Sequence, residues 1–264
     1  MIIMESSKVK SYKITQGTKE WADTNINLYY GCSNDCRYCY AKKMAIRFKR
    51  KTNESWKNMV PNQKNIRKGY GKRKGRVMFP TSHDITEENL GDCLLVLDKM
   101  IKAKNEILIT SKPQLICIKT ICEKFRNNKD LIQFRFTITS TNNIKLKFWE
   151  PSAPLFEERF KALKYAYKKG FATSISIEPF LDKDPFTLFE KLKPYTTESI
   201  WIGKMNYIKS SHIQKEETTY YKNIRNITNK DNLVKILEKS LEYDRSFLRI
   251  KDSIYNYLDS INPL

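Results

Sequence analysis

The stretch GCSNDCRYCYAKK, residues 31–43, places Cys32, Cys36 and Cys39 within eight positions of a chain that has only six cysteines. Thiolates at spacings of four and three are typical of a metal centre. A structural zinc site usually takes four ligands, often as two CxxC pairs, and no second pair is present in the sequence. A dithiol redox motif would leave Cys32 unused. Three thiolates on one loop suit a four-iron cluster whose fourth iron stays open for a substrate or cofactor.

The other three cysteines, Cys93, Cys117 and Cys122, lie in periodic apolar stretches, and we expect them to be buried core thiols. The N-terminus has no signal-peptide pattern, and no run approaches the roughly 18 apolar residues of a membrane span. We therefore expect a cytoplasmic protein without a membrane partner, whose thiols stay reduced.

The charge of the chain is concentrated in one block. Residues 42–76 carry fourteen Lys or Arg against Glu54 alone, so this segment holds +13 of the net +20. A basic block of that density favours binding to DNA or RNA. A solvated, lysine-rich surface is the alternative, because the only aromatic residues in the block are Phe48, Trp56 and Tyr70.

Hydrophobic periodicity alternates between short strand patterns and longer helical patterns, which predicts parallel βα units with functional residues at the carboxyl ends of the strands. The predicted strands are 26–31, 76–80, 106–110, 134–140, 172–180 and 199–203. We expect a single domain over 1–264. It would comprise a core of about 24–203, an irregular basic insertion at 52–75 and a C-terminal helical extension of about 229–264.

The cysteine loop resembles that of the radical S-adenosylmethionine (SAM) superfamily, in which CxxxCxxC follows the first strand and an aromatic residue precedes the last cysteine. The later segments FPTSHD, ITSK, RFTITS, EPSAPLFEER and SIEPFLD with IWIG occur in the order found in the spore photoproduct lyase subgroup and its phage-associated relatives. The resemblance implies an α/β fold, a partial (βα)6-type TIM barrel of parallel strands with C-terminal helices.

The resemblance also implies an enzyme of the lyase or transferase type with a [4Fe-4S] cluster and SAM as cofactors. An external electron donor of the flavodoxin or ferredoxin type would reduce the cluster. SAM, bound to the open iron, would then be cleaved to a 5′-deoxyadenosyl radical that abstracts hydrogen from a substrate. The residues that match the family's cluster ligands are Cys32, Cys36 and Cys39, and those that match its SAM contacts are Tyr40, Ser82, Asp84, Lys112 and Thr137.

Several of these residues also have a structural interpretation. Ser82 or Asp84 could cap the following helix, and Lys112 could be a solvated residue before a helix. Glu150 and Arg159 are interpreted as an ion pair that braces a loop rather than as catalysts.

Two residues are candidates for catalysis. His83 could act as an acid or base, although a lone histidine is more often a hydrogen-bonded structural residue. Glu178 follows an apolar strand and is expected to point into the mouth of the barrel, where a buried carboxylate needs a partner. Pro80 replaces the cysteine that returns hydrogen in the lyase, so repair of thymine dimers by that mechanism is not expected.

The basic block favours a nucleic acid or a nucleotide as the substrate, for modification or repair. A peptide or a small metabolite is the alternative substrate, and a non-catalytic nucleic-acid-binding module held by a metal is the alternative of a different class. The sequence leaves these alternatives open.

Overall fold

The computed structural model describes residues 17–261, which form a sheet of seven parallel strands covered by helices. Each strand of this sheet pairs in parallel with the strand of the sheet that follows it in the chain. These strands are β1 (Thr24–Asn25), β4 (Val77–Phe79), β5 (Ile107–Ser111), β6 (Ile132–Thr137), β7 (Ala172–Ile177), β8 (Ile200–Ile202) and β9 (Leu248–Ile250). A sheet built in chain order by helical crossovers is the architecture of a partial βα barrel, and the predicted fold class is confirmed.

Ten α-helices lie within the described residues 17–261, and most of them separate successive strands of this sheet. They are α1 (Tyr40–Arg47), α2 (Gln63–Arg67), α3 (Leu90–Lys102), α4 (Leu115–Lys124), α5 (Asn143–Trp149), α6 (Phe156–Lys168), α7 (Phe186–Leu192), α8 (Thr218–Ile227), α9 (Lys230–Ser240) and α10 (Asp252–Ile261). None of the helices in this part of the chain is long and apolar enough to cross a membrane.

The predicted first strand at 26–31 is wrong in its details. The strand that joins the barrel is β1. The next strand, β2 (Tyr29–Tyr30), lies outside this sheet and pairs antiparallel with β3 (Val60–Pro61). Gly31 directly follows β2 and has a φ of +99°, and a Cβ there would lie 2.5 Å from the carbonyl oxygen of Trp56. Only glycine fits both the backbone angle and the space. The cysteine loop therefore starts from a turn held against the basic insertion.

The predicted all-helical C-terminal extension also contains a strand. Residues Leu248–Ile250 form β9, and the amide of Lys251 donates to the carbonyl of Ile202 at 2.9 Å. A three-residue strand is too short for its periodicity to be recognised before its neighbour is known.

The two faces of the sheet differ in polarity. Phe134, Phe136 and Ile175 are fully buried in the apolar core between the sheet and the helices. The alternate residues of β6 and β7 face the inside of the barrel, where the Arg135 guanidinium donates to the Ser174 hydroxyl at 3.0 Å. The predicted core cysteines Cys93, Cys117 and Cys122 are confirmed as buried, free thiols.

Residues 17–23 connect the two edge strands of the partial barrel. The amide of Gly17 donates to Asp252 at 2.8 Å, and Lys251 donates to the Gly17 carbonyl at 2.9 Å. Trp21 packs edge-on against Trp201 of β8, with ring centroids 5.8 Å apart. This segment thus links the start of β1 to the residues that follow β9 and places the ring of Trp21 against β8.

Candidate active site

The cysteine loop lies between β2 and α1 and is held by hydrogen bonds at three points. The amide of Cys32 donates to the Trp56 carbonyl at 3.0 Å, and that of Arg37 donates to the Trp149 carbonyl at 2.9 Å. Cys39 is the N-cap of α1, and its sulfur accepts the amide of Lys42 at 3.4 Å. The loop is therefore attached to the basic insertion, to α5 and to its own helix.

The three thiols of this loop are free and lie close enough to affect one another's ionisation. Burial raises the pKa of Cys32 to about 12, and the charges of Asp84 and Cys39 act in the same direction. Burial also raises the pKa of Cys36 and of Cys39. Thiols whose pKa is raised in this way stay protonated on their own and become thiolates when a metal supplies positive charge. The donor set therefore fits an iron–sulfur cluster.

No three acidic, histidine or cysteine side chains within residues 17–261 converge tightly enough to hold a single metal ion. In an iron–sulfur cluster each cysteine binds a different iron, so the ligand sulfurs need not meet at one point.

Tyr38, between Cys36 and Cys39, connects the loop to a buried ion pair. Its hydroxyl donates to Glu150, which also accepts from Arg159 and, at 3.0 Å, from the hydroxyl of Thr139. The side chains of Glu150 and Arg159 are fully buried. The predicted structural ion pair is confirmed, and it supports the cysteine loop through the hydrogen bond with Tyr38.

The charge of Glu150 is stabilised by its neighbours. Burial alone would raise its pKa, but the positive charges of Arg159 and Lys112 hold that pKa below its usual value. Arg159 also donates to the carbonyls of Pro154, at 2.6 Å, and of Thr137, at 3.3 Å. The guanidinium donors are thus directed at oxygens around the end of β6.

Asp84 ties the cysteine loop to the ends of two strands. One carboxylate oxygen accepts from the amide of Ile85 and the hydroxyl of Ser111, and the other accepts from the Asn34 side chain and the Lys112 amide, each at 2.5 to 2.8 Å. Both oxygens therefore have two donors, and the side chain is buried. These hydrogen bonds give Asp84 a positioning role, and its contact with the amino group of SAM stays a prediction.

Lys112 lies among the groups that surround the cysteines. Burial opposes its charge, but the interactions with the ionisable thiol of Cys36 and with the Glu150 carboxylate outweigh burial and raise the pKa of Lys112 above its usual value. Its ammonium is 5.5 Å from the centroid of the Tyr38 ring. A permanent cation therefore stands beside Cys36, at the carboxyl end of β5.

Two polar residues in this region were missed by the sequence analysis. The side-chain oxygen of Asn27 accepts the amides of Thr81 and Ser82, at 2.7 and 2.9 Å, and so shapes the loop after β4. Asn34 donates to Asp84, while its own side-chain oxygen is buried without a hydrogen-bond partner in the described part of the chain. An asparagine inside the apolar run INLYYG was the available signal for Asn27, whereas Asn34 in GCSNDC had none.

The other predicted SAM contacts lie on the rim of the same site. Ser82 and Thr137 are partly exposed, after β4 and at the end of β6 respectively. Tyr40 is exposed, and its ring stacks on that of Tyr207, with centroids 5.9 Å apart. The structure thus places all these residues on the carboxyl side of the sheet, and their contacts with SAM stay predictions.

His83 has both ring nitrogens engaged in the interior. Nε2 accepts the amide of Leu28 at 2.9 Å, so the proton is assigned to Nδ1, which faces the carbonyl of Asp84 at 3.0 Å. Burial lowers the pKa of His83 to about 4. This arrangement favours the structural interpretation of His83 over the catalytic one.

Glu178 lies at the carboxyl end of β7 against Gly203, where a Cβ would come within 2.8 Å of the Glu178 side chain. Burial raises the pKa of Glu178 to about 7, and the charge of Lys251 opposes that rise. This carboxyl is therefore able to hold or release a proton near neutral pH, and a catalytic role for it stays a prediction.

Comparison with known proteins identifies the family. The model of the radical SAM superfamily matches residues 26–183, more than half of the chain. The chain belongs to the radical SAM superfamily. Members of this superfamily are enzymes that use a [4Fe-4S] cluster and SAM and generally need an external electron donor, so the predicted cofactors are confirmed.

The chain is also similar to individual proteins. Uncharacterized protein MJ0683 of Methanocaldococcus jannaschii is 28% identical over 199 residues, which cover 73% of this chain and 75% of that protein. SuiB of Streptococcus suis, solved with bound S-adenosylmethionine, is 13% identical with a TM-score of 0.50, over 91% of this chain and 50% of SuiB. That likeness shows the fold alone.

A spore photoproduct lyase variant solved with dinucleoside spore photoproduct is 18% identical with a TM-score of 0.48. The match covers 77% of this chain and 60% of the lyase chain. The chain therefore spans less than two thirds of the lyase and half of SuiB, and their substrates are not transferred to it.

Replacing Glu150 with Gln should destabilise the protein strongly, because it leaves the Arg159 guanidinium buried beside a neutral partner. The expected loss in the free energy of unfolding is about 3 to 5 kcal/mol, measured by urea denaturation. The matched control is Glu123→Gln, which removes the exposed ion pair with Lys169 and should change stability little. Equal effects of the two substitutions would contradict the bracing role of Glu150.

The pH dependence of stability should report the buried, neutral His83. Its folded pKa, about 4, lies below the ordinary value of 6.5, so between these values the unfolded chain binds a proton that the folded chain does not. The stability that His83 contributes is complete above pH 6.5 and is lost as the pH falls toward 4, by up to about 1.4 kcal/mol per pH unit. Denaturation at about pH 7 and about pH 5.5 should show a smaller difference for His83→Gln than for the wild type. The exposed His212 provides the control, and an equal change on replacing it would refute the assignment.

Proposed function

We propose that Cys32, Cys36 and Cys39 hold the [4Fe-4S] cluster of this enzyme and leave one iron open for SAM. When bound, the cluster and SAM supply a 5′-deoxyadenosyl radical that abstracts a hydrogen atom from the substrate. The observation that carries the proposal is that three free thiols, of which Cys36 is buried and Cys32 and Cys39 are partly exposed, lie with the cation of Lys112 at the carboxyl end of the parallel sheet.

The chain's own residues divide into those that position and those that bind. Glu150, Arg159 and Tyr38 hold the cysteine loop, as Asp84 does from the other side. Lys112 provides a fixed cation for the SAM carboxylate, in a partly buried setting where such pairing is stronger than in water.

The amino group of SAM needs acceptors that are still free. Because the Asp84 carboxylate already has four donors, Ser82 and the unpartnered side-chain oxygen of Asn34 are the better acceptors for an ammonium. Thr137 offers a hydroxyl to the carboxylate, and the backbone of Tyr40 is assigned to the adenine. Glu178 is the candidate for proton transfer with the substrate.

For the substrate we propose a nucleic acid or a nucleotide, modified or repaired by an enzyme of the lyase or transferase type. The support is the electrostatics of the basic block. Beyond α1 its cations belong to an exposed surface that carries one acidic residue, Glu54. Side chains exposed on this surface include Lys57, Lys64, Arg67, Lys68, Lys72 and Lys74.

The chemistry is tested by anaerobic reconstitution with iron and sulfide, followed by dithionite and SAM. The wild type should bind iron, turn brown and release 5′-deoxyadenosine, and Cys36→Ala should lose both iron and SAM cleavage. Cys122→Ala, which removes a buried thiol of α4 far along the chain, is the matched control and should keep both. A colourless protein that binds one zinc and leaves SAM intact would instead establish a non-catalytic metal module.

The substrate class is tested by the salt dependence of binding to duplex DNA and to transfer RNA. Affinity should fall steeply with salt, and the double variant Arg67→Glu/Lys74→Glu should flatten the log–log slope by about 0.7 to 0.9 for each phosphate that it no longer neutralises. Lys222→Glu/Lys235→Glu, with the same charge change on α8 and α9, should keep the wild-type slope. Salt-independent binding, or none at low salt, would exclude nucleic acid and favour a peptide or a small metabolite.

A further inference from the structure

Helix α1 brings a dense positive charge next to the cysteine loop. The helix starts on Cys39, whose sulfur accepts the amide of Lys42, and its eight residues extend about 12 Å from that point. Residues 40–51 contain six Lys or Arg and no acidic residue. This cationic surface is therefore the one that directly adjoins a proposed cluster ligand.

The same helix has an apolar stripe that is largely uncovered. None of the residues of α1 is buried. Tyr40, Met44 and Phe48 follow one another at intervals of four, and the Tyr40 and Phe48 side chains are more than half exposed. Lys43 and Arg47 form the neighbouring stripe. We refer to these five residues together with Arg50 as the α1 face.

The composition of the α1 face is that of a protein-binding surface. Aromatic residues, methionine and arginine are enriched at protein–protein interfaces, where aromatic and arginine side chains also dominate the binding energy. Arg47 and Arg50 flank the ring of Phe48, with guanidinium carbons 5.8 and 5.3 Å from its centroid. A partner for this face should therefore offer acidic groups around an apolar centre.

The chemistry of the site indicates which kind of partner would bind here. Each reductive cleavage of SAM needs one electron from outside the protein, and electron transfer weakens steeply with distance. Cys36 is buried, whereas Cys39 is partly exposed and carries α1. A donor seated on the α1 face would therefore lie close to the cluster without entering the barrel.

We propose that the α1 face is the docking surface for an acidic one-electron donor protein of the flavodoxin or ferredoxin type. This inference rests on the proposed function of the cysteine loop. In the docked complex one electron passes to the cluster, so the donor is oxidised by one electron and the cluster is reduced by one, with no bond made or broken. The exposed apolar stripe favours a protein over a nucleic acid as the partner of this face. The more distant cations at 57–76 are then the ones that bind the substrate.

The test uses the reconstituted protein, kept anaerobic, with a strongly acidic flavodoxin and a strongly acidic ferredoxin as probes. The triple variant Lys43→Glu/Arg47→Glu/Arg50→Glu reverses the charge of the α1 face without touching a cysteine. Lys57→Glu/Arg67→Glu/Lys74→Glu makes the same charge change in the rest of the basic block. Two quantities are measured for each protein, the dissociation constant for the oxidised donor and the rate of cluster reduction by the reduced donor.

The α1 variant should bind the donor about tenfold or more weakly at low ionic strength and be reduced correspondingly more slowly, with the difference shrinking as salt is added. Its release of 5′-deoxyadenosine with dithionite should match that of the wild type, and the control variant should behave as the wild type with the donor. Unchanged donor binding and reduction in the α1 variant would overturn the proposal. The proposal would also be overturned if that variant lost affinity for DNA or RNA while the donor still reduced it at the wild-type rate. That result would show that the α1 face binds nucleic acid.

A failure of the proposed function is distinguished from these results, because it would appear as absence of dithionite-driven SAM cleavage in the wild type.

Discussion

The candidate site depends on one buried carboxylate. Glu150 accepts hydrogen bonds from Tyr38 in the cysteine loop and from Arg159 in α6, with no solvent at either end of the ion pair. A carboxylate buried in this way is stable only while its donors remain in place. Moving Tyr38 or Arg159 away from it would therefore cost free energy, and this cost fixes the positions of the donors. Because Tyr38 lies between two of the cysteines, that constraint sets where their thiols lie relative to the end of β6.

A second carboxylate sets the opposite side of the loop. Asp84 binds the Asn34 side chain together with Ser111 and the amide of Lys112 at the end of β5. The two acids thus hold the loop between neighbouring strands, and Lys112 lies between them as a cation beside Cys36. Rigid placement of ligands and charge before any cofactor arrives is what electrostatic preorganisation requires.

The sequence predicted those parts of the molecule that depend on local pattern. The parallel strands β4 to β8 followed from alternating periodicity, and the ion pair of Glu150 with Arg159 followed from the EPSAPLFEER segment. The features it missed depend on distant pairing: β2 leaves the sheet because Val60 and Pro61 are available to it, and β9 is a strand because β8 lies beside it. The role of Asn34 and the stacking of Tyr40 on Tyr207 were hidden for the same reason.

The central claim is that three cysteines of the loop hold a four-iron cluster whose open iron takes SAM. The most direct measurement is the electron paramagnetic resonance spectrum of the reconstituted protein, reduced with dithionite and recorded with and without SAM. We expect the signal of a reduced [4Fe-4S] cluster that changes in shape and position when SAM is added, since SAM binds to the cluster itself. A signal that SAM leaves unchanged, or a protein with no signal and one bound zinc ion, would contradict the claim.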